Sequence, residues 1–145
     1  MDRKQFLKTC GIGCLAGITG IYLQGCSASK ILSKEIEGSD ILVPVSDFEV
    51  KDRQEKAFKK YIVIQNDLLK APICVYRFSA SDYTAMFMVC THQGAELQVF
   101  GDKLQCPAHG SEFSNRGIME NGPADKDLRQ FPVLIENNIL KISLK

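Results

Sequence analysis

Among its 145 residues the chain has only two histidines, no surplus of charge of either sign and no apolar run of membrane-spanning length. Eighteen basic side chains against 17 acidic ones leave a formal net charge of +1. Nucleic acid is thereby excluded as a partner, because phosphate binding leaves a basic patch or a Lys/Arg-rich segment. A crossing helix needs about 20 consecutive apolar residues. The uncharged run Cys10 to Leu23 is shorter and carries Thr19 and four glycines between Gly11 and Gly20. No internal repeat is visible, and the one helix-like stretch, Asp52 to Lys59, is short and charged. A hydrophobic content of 45% over this length supports one core and a single small domain.

What is present begins with an N-terminus unlike the remainder. Arg3, Lys4 and Lys8 precede the uncharged run, which closes on Leu23-Gln24-Gly25-Cys26. That order is the order of a signal peptide, expected over residues 1–25, with an uncleaved anchor as the competing reading. Leu23 to Cys26 resembles a bacterial lipobox, which implies that Cys26 is the lipidation site and the mature N-terminus, holding the protein to a membrane that faces the periplasm. Arg3 to Lys8 resembles a twin-arginine export motif with Lys in place of the second Arg; an ordinary basic leader stays open beside it. Residues 26–39 are polar and small, with Ile31, Leu32 and Ile36 too sparse for a core, and are expected to be a tether from membrane to domain.

From residue 40 to 145 short β-rich runs alternate with turn residues: Ile41–Val45, Lys60–Gln65, Ile73–Phe78, Ala85–Val89, Glu96–Phe100, Lys103–Gln105, Phe131–Glu136 and Ile139–Leu144. They predict an all-β fold, an antiparallel β-sandwich or open barrel. Asn66-Asp67, Gly101-Asp102 and Asn137-Asn138 supply residues that tolerate positive φ in tight hairpins. Residues 88–124 differ from their flanks. The stretch from Thr91 to Ala124 is rich in loop residues and holds five of the eleven glycines. It has too little apolar surface to organise itself by packing, so a metal centre is expected to do so.

Six cysteines are then accounted for. Cys10 and Cys14 leave with the signal, Cys26 carries lipid, and Cys74 lies in the apolar run Ile73-Cys74-Val75-Tyr76 as a small buried hydrophobe. Cys90 and Cys106 remain, each with a histidine. The two halves are Cys90-Thr91-His92 and, after thirteen residues, Cys106-Pro107-Ala108-His109-Gly110-Ser111. C-x-H puts two donors on one side of an extended segment, and C-x-x-H wraps a tight turn around a metal. Four such donors also suit structural zinc, although zinc halves usually present like ligands together.

The pattern C-x-H…C-x-x-H resembles the Rieske family, and the resemblance extends through Ser111, Phe113, Gly117, Gly122-Pro123-Ala124 and Leu128. It implies one [2Fe-2S] cluster per chain, with Cys90 and Cys106 on one iron and His92 and His109 on the other. It also implies a loop-rich cluster-binding part with a Gly-Pro segment covering the cluster. The quinol-oxidising branch of that family joins its two cluster loops by a disulfide; Ala95 and Ala108 occupy those places here. Gln93 stands where that branch usually has Leu, and Phe113 where it has a Tyr that donates to a ligand sulfur, whereas Ser111 is kept. The implied potential is within the family span of about −150 to +300 mV and below its top. Reduction raises the imidazole pKa values, so the potential falls as pH rises through the oxidised-state values.

The function expected is one-electron transfer, by an exported carrier or the small subunit of an oxidoreductase, with a cytochrome or an oxidoreductase large subunit as redox partner. The alternative is the Rieske subunit of a quinol:cytochrome c reductase-type complex. A structural-metal binding module is the reading from outside redox chemistry. Rieske oxygenases need a large catalytic domain for which this chain has no room.

Overall fold

The computed structural model describes residues 31–50 and 57–145. Cys26 and the expected signal peptide lie outside them, as do Cys10 and Cys14. The described residues are almost entirely strand and turn. They include one 3-10 turn, Val45–Phe48, and no α-helix.

The central sheet has five strands in the order β1 (Ile31–Ser33), β6 (Tyr61–Gln65), β7 (Ile73–Arg77), β8 (Tyr83–Phe87), β13 (Gln130–Phe131). Both of its faces are covered. Ile62, Ile64, Ile73, Val75 and Ala85 point into one core, shared with Ile41, Val43, Leu140 and Ile142. Val63, Cys74, Tyr76 and Met86 point the other way, into a core with Leu97, Leu104 and Phe113. This alternation explains why β7 is buried along nearly its whole length, Ile73 to Tyr76: its two side-chain faces serve two different cores. Each fully buried Ile or Val contributes roughly 1.5–3 kcal/mol relative to exposure.

The first of those cores is closed by a sheet in the order β14 (Val133–Glu136), β15 (Ile139–Ser143), β3 (Asp40–Pro44), β2 (Ile36–Glu37). Asn137 and Asn138 join β14 to β15 with φ of 51° and 60°, the double positive φ that a two-residue hairpin demands. The second core is closed by the sheet that carries the loops of interest, in the order β12 (Met119–Asn121), β11 (Glu112–Ser114), β10 (Lys103–Gln105), β9 (Gln98–Phe100). A two-stranded ribbon of β4 (Glu49–Val50) and β5 (Ala57–Phe58) completes the set.

The all-β antiparallel expectation holds, with three local differences. First, the expected tether is not one from Ile31 onward. Ile31–Ser33 pairs in parallel with Val63–Gln65, and Ile36–Glu37 pairs with Asp40 and Ile41. These strands are two and three residues long and bury only part of Leu32 and Ile36, which leaves no periodic signal in the sequence. Second, the end of the helix-like stretch, Ala57–Phe58, is strand. Third, Pro132 interrupts the run read as Phe131–Glu136, because a residue without an N–H cannot continue a ladder. Residues 131 and 133 consequently belong to different sheets.

Candidate metal centre

Two six-residue loops, Cys90–Ala95 and Cys106–Ser111, project from the same end of the β9–β12 sheet and share one backbone frame. In the first, Cys90 N–H donates to the Ala95 carbonyl (2.8 Å) and Gly94 N–H to the Cys90 carbonyl (2.9 Å). In the second, Cys106 N–H donates to the Ser111 carbonyl (2.8 Å) and Gly110 N–H to the Cys106 carbonyl (2.9 Å). The flanking residues also correspond: Val89 bridges Glu96, and Gln105 pairs with Glu112. The fifth residue of each loop has positive φ, 78° at Gly94 and 80° at Gly110, which is why glycine stands at both. The sequence carried this repeated frame as Cys-x-x-x-Gly at positions 90 and 106, and reading the ligands alone misses it.

The frame brings like donors together. Cys90 and Cys106 are both buried, and the Cys90 thiol donates toward the Cys106 sulfur. Burial resists ionisation of the Cys106 thiol. The backbone N–H groups of His109 and Ala108, together with the Cys90 thiol, outweigh that cost and hold it below the ordinary thiol range. The imidazoles of His92 and His109 meet edge to face, with ring centroids 4.9 Å apart and planes at 88°. His92 is half-buried and His109 exposed at the tip. The Nδ1 of His92 is buried without a hydrogen-bond partner. Such an orphan costs stability unless something absent from the polypeptide coordinates it.

A tetrahedral zinc needs four donors around one point, whereas a dinuclear cluster needs two protein donors at each iron. A pair of thiols and a pair of rings, with an imidazole nitrogen left unpartnered, suits the latter. Cys74 is fully buried on the same side of the central sheet, and burial pushes its thiol far up. It is the inert core residue the sequence predicts. The three cysteines of the described residues are all free, and Ala95 and Ala108 leave the two loops without a thiol to cross-link.

A third segment, Gly122 to Asp127, lies against both loops. It begins at a cis Gly122–Pro123 peptide. Ala124 N–H donates to Ser111 Oγ (2.9 Å), so the Ser111 hydroxyl proton stays available for another acceptor. Thr91 Oγ1 donates to the Lys126 carbonyl (2.7 Å). Thr91 is a residue that sequence reasoning passed over; its position between two ligands was the available signal. Phe113, at the place of a sulfur-directed Tyr in the quinol-oxidising branch, is fully buried in the core of the site-bearing sheet.

Residues 45–132 match the Rieske [2Fe-2S] domain family. The cytochrome b6-f complex iron-sulfur subunit of Cyanothece sp. is 30% identical, over 88% of this chain and 76% of that protein. That of Chlorobaculum tepidum is 26% identical, over 78% and 73%. Among solved structures, the plasma membrane Rieske protein PetC3 from Synechocystis aligns with a TM-score of 0.50 and 25% identity, over 58% of this chain and 86% of that one. A hyperthermophilic respiratory Complex III chain aligns over 94% and 95% with a TM-score of 0.52; at 19% identity it speaks to the fold alone. The loops, their donors and this match together place the chain in the Rieske [2Fe-2S] family. Its cofactor is one [2Fe-2S] cluster per chain, and its activity is one-electron transfer through that cluster.

Proposed function

We propose that Cys90 and Cys106 hold one iron and His92 and His109 the other, in an exported, lipid-anchored electron carrier or small oxidoreductase subunit. The observation that carries the assignment is the buried, unpartnered Nδ1 of His92 beside the exposed ring of His109. When bound, the cluster supplies a one-electron couple with no bond made or broken in a substrate. The chain's own residues determine access to it. Cys90 and Cys106 sit on the core side, with the backbone N–H groups of Ala108 and His109 near the Cys106 sulfur and favouring its ionised form. His109 faces water, so the histidine side is where a partner approaches. Gln93, Gly94, Pro107, Ala108, Gly110 and Pro123 of the loops and the segment against them are exposed and uncharged, and Asp125, Lys126 and Asp127 are exposed farther along that segment.

Purified full-length protein is expected to be red-brown and to give a Rieske-type EPR signal when reduced. Cys106→Ser and His109→Ala are each expected to abolish that signal and to leave residues 91–124 less protected in amide exchange. A variant that keeps the parent's reduced-state signal removes its residue from the ligand set.

Localisation rests on the lipobox resemblance at Cys26 and on the membrane-complex names of the relatives. Among the described residues no helix is long and apolar enough to cross a membrane. The second reading is a Rieske subunit of a quinol:cytochrome c reductase-type complex, favoured by the cytochrome b6-f names of the relatives. Gln93, Ala95 and Ala108 disfavour it, being departures at the loop tip and at the cross-link. Gentle solubilisation separates the two: co-migration with a b-type haem supports the second reading, and migration free of haem supports the first.

A further inference from the structure

The two cluster loops have no thiols at Ala95 and Ala108 with which to bond to each other, yet their ligands must hold a fixed relation. Besides the contact between the two ligand thiols, hydrogen bonds tie both loops to the Gly122–Asp127 segment. The first loop is tied to it by the Thr91 hydroxyl, donating to the Lys126 carbonyl at 2.7 Å. The second is tied to it by the Ser111 hydroxyl, accepting from Ala124 N–H at 2.9 Å. The segment is itself pinned to the sheet. Asp127 Oδ1 accepts from Met119 N–H at 2.8 Å, Leu128 N–H donates to the Gly117 carbonyl at 2.8 Å, and Ala124 and Leu128 are buried in the core beneath.

We propose that Thr91 is a positioning residue: its hydroxyl holds the first loop to Gly122–Asp127 and so sets Cys90 and His92 against Cys106 and His109. The hydrogen bond stands where a covalent link between the loops is missing. Thr91 lies between Cys90 and His92, so a movement of its backbone carries both donors with it. Ser111, at the end of its loop, acts through Cys106 N–H and its own carbonyl. The Thr91 contact lies at the surface; water competes for it, which makes its contribution a measurable fraction of loop stability and not an all-or-none requirement.

This inference rests on the cluster assignment, and the experiment separates the two. Full-length protein is compared with Thr91→Val, which replaces the hydroxyl by a methyl of similar size, and with Thr91→Ser, which keeps the hydroxyl. The readouts are the rate of visible bleaching in excess ferrous chelator and the line shape of the reduced EPR signal. Thr91→Val is expected to lose its cluster about tenfold faster, the scale of one net hydrogen bond, with broadened EPR features. Thr91→Ser is expected to restore both to near the parent. A Thr91→Val variant with the parent's rate and line shape overturns the proposal, as does a Thr91→Ser variant that behaves like Thr91→Val. If a variant cannot be loaded, amide exchange of the cluster-free proteins decides. Faster exchange at Cys90 and Gly94 with Cys106 and Gly110 unchanged supports the clamp, and unchanged exchange at all four overturns it. A parent that shows no [2Fe-2S] spectrum overturns the ligand assignment instead, and the same exchange comparison still tests the clamp.

Discussion

At the scale of single residues, the electronic setting of the cluster comes down to a few hydrogen bonds aimed at sulfur. Ser111 is fully buried and accepts from Ala124 N–H, so its own proton has to find another acceptor near Cys106. Ser111→Ala is therefore expected to lower the reduction potential, because a donor to a ligand sulfur stabilises the more electron-rich, reduced state. Oxidised sulfur accepts the same bond, so only the difference between states is lost. If that difference is about 1 kcal/mol, the shift is about 40 mV, since about 1.4 kcal/mol corresponds to 59 mV for one electron. Protein-film voltammetry resolves it, and a potential unchanged within error removes Ser111 from the cluster's surroundings. The Cys-x-H and Cys-x-x-H pairs were legible in the sequence from their spacing and Ser111 from the family resemblance, and the structure brings the two cysteines together and the two imidazoles together. Thr91 stands between two expected ligands, but its role was not legible there, since its partner is a backbone carbonyl 35 positions away.

At the scale of elements, the site-bearing sheet is joined to the central sheet by a surface latch as well as by its core. Arg116, in the turn between β11 and β12, grips Asp82, in the turn between β7 and β8, through two contacts of 2.6 and 2.9 Å. The same guanidinium lies 3.5 Å above the Phe78 ring. Its hydrogen bond holds the Asp82 carboxyl below the ordinary value of 3.8. A depressed carboxylate pKa contributes stability that is fully present above the unfolded value and is lost as pH falls through the folded one. Asp82→Asn is thus expected to lower the melting temperature near pH 6, by an amount that shrinks as pH falls below 3.8 and through the lowered value of the folded carboxyl. A difference independent of pH would mean that the latch acts by shape alone. The central strands were legible because they are continuous apolar runs of Ile, Val and Tyr bounded by turn residues; β11 and β12, three residues each with glycines nearby, read as loop. Their pairing is enforced by Leu104, Phe113 and Met119 meeting across the ladders, which is tertiary information.

For the whole molecule, the largest revision concerns where the ordered body begins. Lys34, expected in a loose tether, has its N–H bonded to the Gln65 carbonyl (3.2 Å) and its own carbonyl bonded to Asn66 Nδ2 (2.7 Å), while its ammonium pairs with Asp47. Trypsin acting on the native protein is accordingly expected to leave the Lys34–Glu35 bond intact, and rapid cleavage there would restore the tether. If Cys26 is acylated as proposed, the pairing of Ile31–Ser33 with β6 also sets a mooring length. From an acylated Cys26 to Ile31 there are only five residue steps, about 17 Å when fully stretched. A folded body of roughly 110 residues has a radius of gyration of about 13 Å and is some 30 Å across. On so short a mooring the body can tilt against the bilayer but cannot carry its histidine tip from one distant docking site to another. Under that anchoring, electron delivery would be governed by how fast partners diffuse to a stationary tip, and the distance over which the protein serves them would be fixed by the five residues in front of its first strand.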